Sequence, residues 1–161
     1  MMLARSGALG IVEKVVLVAL CILSRSDIAA ASDVAVVASK DSRFRMVKAS
    51  DLVKMIKTTH KRPDGYDLTV FLTGPSSPEM QIVAQKLLSL TPDEFKRLID
   101  AANKSRVTFR VVSGDEEALN ALQSNPAAIG LVNVYSINSN VEVLKIDGKL
   151  PLEPGYILHG Q

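Results

Sequence analysis

Several absences narrow the chain before any motif is considered. Its 161 residues hold one cysteine, no tryptophan, two histidines and only 4% aromatic residues. One cysteine cannot make a disulfide framework. So few aromatic rings suit an aliphatic α/β core better than a stacking surface for bases or sugars. Neither sign of charge predominates: 19 Lys plus Arg face 17 Asp plus Glu, and this near balance leaves no nucleic-acid footprint. His60 and His159 stand far apart, with no His-x-x-x-His pair, so no metal site is expected. No G-x-x-x-x-G-K-[ST] loop occurs, and Ser76 lacks a G-x-S-x-G frame. The expectation is a protein with no catalytic residues, no cofactor and no enzymatic activity.

A long apolar run is also missing. The longest uninterrupted one, residues 15–23, has nine residues, against about 20 for a bilayer span. Arg5 and Lys14 precede it, and Ala29, Ala30 and Ala31 follow. That order reads as an export signal over 1–31 with an A-x-A-like cleavage site. The alternative is an uncleaved, membrane-associated N-terminal segment. Cys21 lies inside the apolar run behind Leu20, which is too large for a typical lipid-attachment site. The exported chain from Ser32 is then cysteine-free, without thiol chemistry and without a stable membrane span, and its expected place is the periplasm.

Within 32–161 the patterns alternate between strand and helix, the mark of one α/β domain. Residues 33–38 (Asp-Val-Ala-Val-Val-Ala) form a nearly continuous apolar run, as in strands buried on both faces of a parallel sheet. Leu52, Val53 and Ile56 recur at helical spacing behind Ser50 and Asp51, which can satisfy free helix N–H groups. Residues 40–62 carry eight basic residues against Asp41 and Asp51, read as a solvated face or as attraction for an anion. Pro63, Asp64 and Gly65 are turn chemistry, and 67–73 a strand. S-x-x-E capping boxes open at Ser76, Thr91 and Ser113, predicting helices from 76 to 90, from 91 through Ala102, and from 113 through Leu122. Asp115, Glu116 and Glu117 suit the positive end of the third helix. Residues 106–112 and 127–134 read as strands, the latter with Gly130 permitting close backbone approach. Residues 141–146 read as one edge strand turned at Asp147 and Gly148, and 150–161 as an irregular tail.

The stretch on which function turns is 70–79, Val-Phe-Leu-Thr-Gly-Pro-Ser-Ser-Pro-Glu. A strand ending in a small-residue loop before a helix start points free N–H groups and a helix dipole at one spot. Ser76 and Ser77 could serve there as a helix cap, with Glu79 turned back to the N-cap, or as contacts for an anion.

In order, residues 34–37, 48–56 (Lys-Ala-Ser-Asp-Leu-Val-Lys-Met-Ile), Pro63-Asp64-Gly65, the Ser-rich helix start, 124–132 (Ser-Asn-Pro-Ala-Ala-Ile-Gly-Leu-Val) and 143–148 (Val-Leu-Lys-Ile-Asp-Gly) resemble small, single-lobe relatives of phosphate-type periplasmic substrate-binding proteins. The resemblance spans about 33–149. It implies a single type II periplasmic-binding-protein-like lobe, α/β, with a mostly parallel sheet of about four or five strands flanked by helices. It also implies solute binding in connection with ABC transport, a phosphate-like oxyanion as ligand, and an ABC transporter or envelope protein as partner. Ser76 and Ser77, with Thr73 and Gly74, fall at the family's phosphate loop. Relatives often place an Arg just before the serine pair, where this chain has Leu72, Thr73, Gly74 and Pro75. A ligand-free interaction module of the envelope that retains the lobe is the alternative function.

Overall fold

The computed structural model describes residues 32–57, 69–102 and 108–160. The expected turn at 63–65 and His60 lie outside them. Along the chain run β1 (Val34–Ser39), β2 (Met46–Val47), α1 (Ala49–Lys57), β3 (Thr69–Leu72), α2 (Pro78–Ile82), α3 (Pro92–Ala102), β4 (Thr108–Val111), α4 (Asp115–Gln123), β5 (Ala128–Asn133), β6 (Val141–Val143) and β7 (Lys145–Ile146). Five strands form one sheet in the order β4-β3-β5-β1-β6, and β2 pairs with β7 in a separate ribbon.

β3 runs parallel to both β4 and β5, while β1 runs antiparallel to β5 and β6. Four strands therefore share one direction, and β1 alone opposes them. Its run is buried along its whole length, as the sequence suggests. Its place between two antiparallel neighbours corrects the expectation of a parallel strand. Continuous apolarity reports burial on two faces, which any central strand shares, and carries no information on direction.

Side chains alternate across the sheet with the period of two that strands impose. Val34, Val36, Ala38, Val70, Leu72, Ile129 and Leu131 enter one apolar cluster, with α1, α2, α3 and the C-terminal tail. Ala35, Val37, Phe71, Ala128 and Val132 enter another, against Ala118, Leu119 and Leu122 of α4. Gly130 lets α4 come close: a Cβ there would meet Leu122 Cδ1 at 2.9 Å and Val37 Cγ2 at 3.2 Å.

The Thr91 box forms as read. Glu94 Oε2 accepts from the Thr91 N–H at 2.8 Å, and Thr91 Oγ1 accepts from the Glu94 N–H at 3.3 Å. The other two boxes are displaced by one residue. α4 is capped at Gly114, with Glu117 rather than Glu116 accepting from the Ser113 N–H and hydroxyl at 2.8 and 2.7 Å. The helix expected from 76 begins at Pro78 and passes into a π-helical turn, Val83–Leu87, with Ser89 beyond it at φ 52. α1 takes its N-terminal acceptor from a distant turn, because the Ala49 N–H donates to Asp147 Oδ1 at 3.1 Å. The expected edge strand 141–146 divides: β6 stays at the sheet edge, Leu144 is buried, and β7 turns to pair with β2. Asp147 (φ 50) and Gly148 (φ 83) then reverse the chain.

The tail from 150 to 160 has no helix or strand, as expected, yet it is docked. Tyr156 and Leu158 are buried, and the Leu158 carbonyl accepts from the Val34 N–H at 3.1 Å. Asp33, buried at the start of β1, accepts from the Gly160 N–H at 2.7 Å and meets His159 Nδ1 at 2.6 Å. This histidine–carboxylate pair has no signature in local sequence spacing. Its members are brought together only by the tail's return to β1.

Candidate functional site

The loop 73–77 leaves the end of β3 at Leu72 and delivers the chain to α2. Its register beside β5, with Leu72 opposite Leu131, sets it next to the end of that strand at Asn133. The loop closes on itself. The Ser77 N–H donates to the Gly74 carbonyl at 2.8 Å, and the Thr73 and Ser77 hydroxyl oxygens lie 2.9 Å apart. Ser77 is the N-cap in extended backbone, its Oγ accepting from the Met80 N–H at 3.3 Å, with Pro78 at the first helical position. Proline there lacks only an N–H that would have no helical partner.

Of the four predicted site residues, Thr73 and Ser77 come together through their hydroxyls. Ser76 is exposed one position before the cap, and its carbonyl accepts from Gln81 Nε2 at 3.2 Å. Gly74 faces open space, with nothing within 4 Å of an added Cβ, so no close approach depends on it. Glu79 does not turn back to Ser76. Its Oε1 accepts from Asn133 Nδ2 at 3.0 Å.

Asn133 is the residue the sequence reading missed. Its backbone N–H donates to Asp115 Oδ2 at 3.0 Å, its amide donates to Glu79, and its Oδ1 accepts from the Tyr135 N–H at 3.0 Å. One asparagine thus ties the carboxylates of two helix starts, α2 and α4, to the end of the central strand. Its only sequence signal is a polar residue closing the apolar run 128–132.

The electrostatics of this edge are acidic. Hydrogen bonds from the Ser113 side chain and backbone hold the Glu117 carboxyl below its ordinary range. Of the arginines in the basic stretch 40–62 that could compensate this charge, Arg43 is exposed, and Arg45 donates to the carbonyls of Phe44 and Lys40 at 2.8 and 3.4 Å, and to that of Ser42. Arg62 lies outside the described residues. No group of three or more His, Cys, Asp or Glu capable of holding a metal occurs among the described residues. No helix among them is long and apolar enough to cross a membrane.

The five-stranded, mostly parallel α/β sheet, with a loop and two helix starts at its carboxyl edge, has the fold of a periplasmic-binding-protein-like lobe. Among solved structures, the chain is similar to an ABC-type phosphate transport receptor from Vibrio cholerae, with 17% identity over 75% of this chain and 48% of that one, TM-score 0.59. It is similar to PstS from Borrelia burgdorferi, with 14% identity over 81% and 55%, TM-score 0.60. A candidate phosphate ABC transporter substrate-binding protein from Clostridium perfringens, solved with bound phosphate, gives 15% identity over 73% and 46%, TM-score 0.56. The chain spans about half the length of these structures. At such identities the likeness is one of fold. No family model and no curated protein matches the sequence.

Proposed function

We propose that the chain is an exported, non-enzymatic solute-binding-type lobe that contacts a phosphate-like oxyanion weakly, in connection with ABC transport. The contact would be at the Thr73, Gly74, Ser76 and Ser77 loop. The observation that carries this reading is the placement of the loop at the carboxyl edge of β3 and the start of α2, where strand ends and helix N–H groups favour an anion. It lies in a fold shared with a protein solved with bound phosphate. Weakness follows from the same edge. Glu79 and Asp115 sit in the first turns of α2 and α4, and an incoming oxyanion meets like charge there. Calorimetric titration of the chain with phosphate, sulfate and molybdate tests the reading. Binding in the millimolar range is expected, and silence with all three at millimolar ligand removes it.

The Glu79–Asn133–Asp115 arrangement also favours a second reading, in which the carboxylates occupy the helix starts permanently and the lobe serves as an interaction module. One stoichiometric partner recovered from envelope extract, together with a silent titration, selects that reading.

A further inference from the structure

We propose that the β2/β7 ribbon, with the loop leading into it, docks on an anionic lipid surface. This inference stands apart from the oxyanion reading. The pairing sets Met46 opposite Lys145 and Val47 opposite Ile146. Opposed residues of neighbouring strands share a face, and successive residues alternate. Val47 and Ile146 are buried, so Met46 and Lys145 face outward together, Met46 with 62% of its surface exposed.

Lys40, Arg43, Arg45 and Lys48 are exposed on the same linked segment. The Lys145 N–H donates to the Arg45 carbonyl at 3.4 Å, and the Asp147 N–H to the Val47 carbonyl at 3.1 Å, while Arg45 bonds back to the Lys40 carbonyl. Five exposed cations therefore lie on the two linked segments that carry one projecting apolar side chain. The acids within this segment are Asp41 and Asp147, and Asp147 Oδ1 is engaged by the Ala49 N–H. In a chain of net charge +2 this is a local concentration of positive charge.

The arrangement selects its occupant. A free oxyanion needs converging donors, whereas Arg45 turns its guanidinium to carbonyls of its own loop. A layer of headgroups offers many separated phosphates, one for each spread cation, and an acyl boundary for a flexible apolar tip.

The test is co-sedimentation of the full chain with phosphatidylglycerol-containing and purely phosphatidylcholine vesicles. The apolar run 15–23 can touch both kinds of bilayer, so the readout is the difference between them. Each cation near an anionic surface is worth about fivefold in partitioning. Arg43→Glu with Lys145→Glu is expected to weaken anionic-vesicle binding at least about 25-fold, and Met46→Ser several-fold, both with unchanged thermal melts. Lys96→Glu with Arg97→Glu on α3 makes the same charge change outside the patch and is expected to do far less. If the charge-reversed pair destabilises the fold, Arg43→Gln with Lys145→Gln provides the milder comparison. Equal losses from the patch and control pairs, equal binding to both vesicle types, or capture of nucleic acid or an acidic protein without anionic vesicles overturns the proposal.

Discussion

The side-chain amide of Asn133 donates to the carboxylate of Glu79 at 3.0 Å across 54 positions of sequence. With Asp115 on the backbone N–H of the same asparagine, it places the chain's own negative charge at the starts of both α2 and α4.

Glu79→Gln with Asp115→Asn retains an acceptor at each position and removes two charges. One unit charge at such a site is worth on the order of 1–2 kcal/mol at a surface-like dielectric, so phosphate affinity is expected to rise by about tenfold or more. Titration calorimetry measures it. Adding Ser76→Ala and Ser77→Ala is expected to reverse the gain, and no gain in the double variant removes the loop as the oxyanion position.

Asp147→Ala removes the acceptor of the Ala49 N–H and a residue type that tolerates positive φ. A loss of about 1–2 kcal/mol is expected, read from the urea midpoint. Gly148→Ala, at φ 83 with nothing within 4 Å of the added Cβ, is expected to cost about 1 kcal/mol through backbone strain alone.

Glu94 and Glu117 are both held below the ordinary carboxylate value of 4.5, Glu94 chiefly by the Thr91 backbone N–H and Glu117 chiefly by the Ser113 hydroxyl. A depressed folded-state value gives stability that is present above the unfolded value and lost as pH falls through the folded one. Glu94→Gln and Glu117→Gln are therefore expected to unfold at lower urea than the parent at neutral pH. Their midpoints should converge with the parent's as pH falls below 4.5 and through the lowered folded-state values. Denaturation series at several pH values check this.

The Tyr156 hydroxyl is buried without a full hydrogen-bond partner among the described residues. Burial pushes its phenol upward, with Asp33 adding to the effect and a polar contact to the Val36 backbone opposing it. Removing an unsatisfied buried hydroxyl returns its desolvation cost, about 1–3 kcal/mol at most. Tyr156→Phe is expected to leave the thermal midpoint unchanged or raise it, whereas Leu158→Ala, from a fully buried site, is expected to cost about 2–5 kcal/mol. Circular-dichroism melts separate the two.

Much of the core was legible because it depends on local period: the runs at 34–38, 70–72 and 128–132 and the helical stripes of α1 and α3 fall where apolar spacing places them. The Thr91 box was legible because both partners lie within one turn. The Ser76 and Ser113 boxes share its spacing, but Ser77 caps α2 with Pro78 at the first helical position, and Glu79 is drawn to Asn133. Asn133, the Asp33–His159 pair and the Asp147 cap depend on residues distant in sequence. The two-residue strands β2 and β7 are too short to carry a period. The direction of β1 was illegible because side-chain burial is the same whichever way a central strand runs.

The position of β1 has a consequence for how the molecule is made. Val34 pairs with Asn133, and Ser39 with Val141, so the first strand of the sheet waits for the last two. Closing loops of that length is entropically costly, and folds dominated by such distant pairings form slowly. A nascent chain ending before β5 has neither neighbour for β1 and cannot complete the centre of its sheet. Synthesis must pass β6 before the sheet can close, so the polypeptide from β1 to β4 is held without its central partners until then.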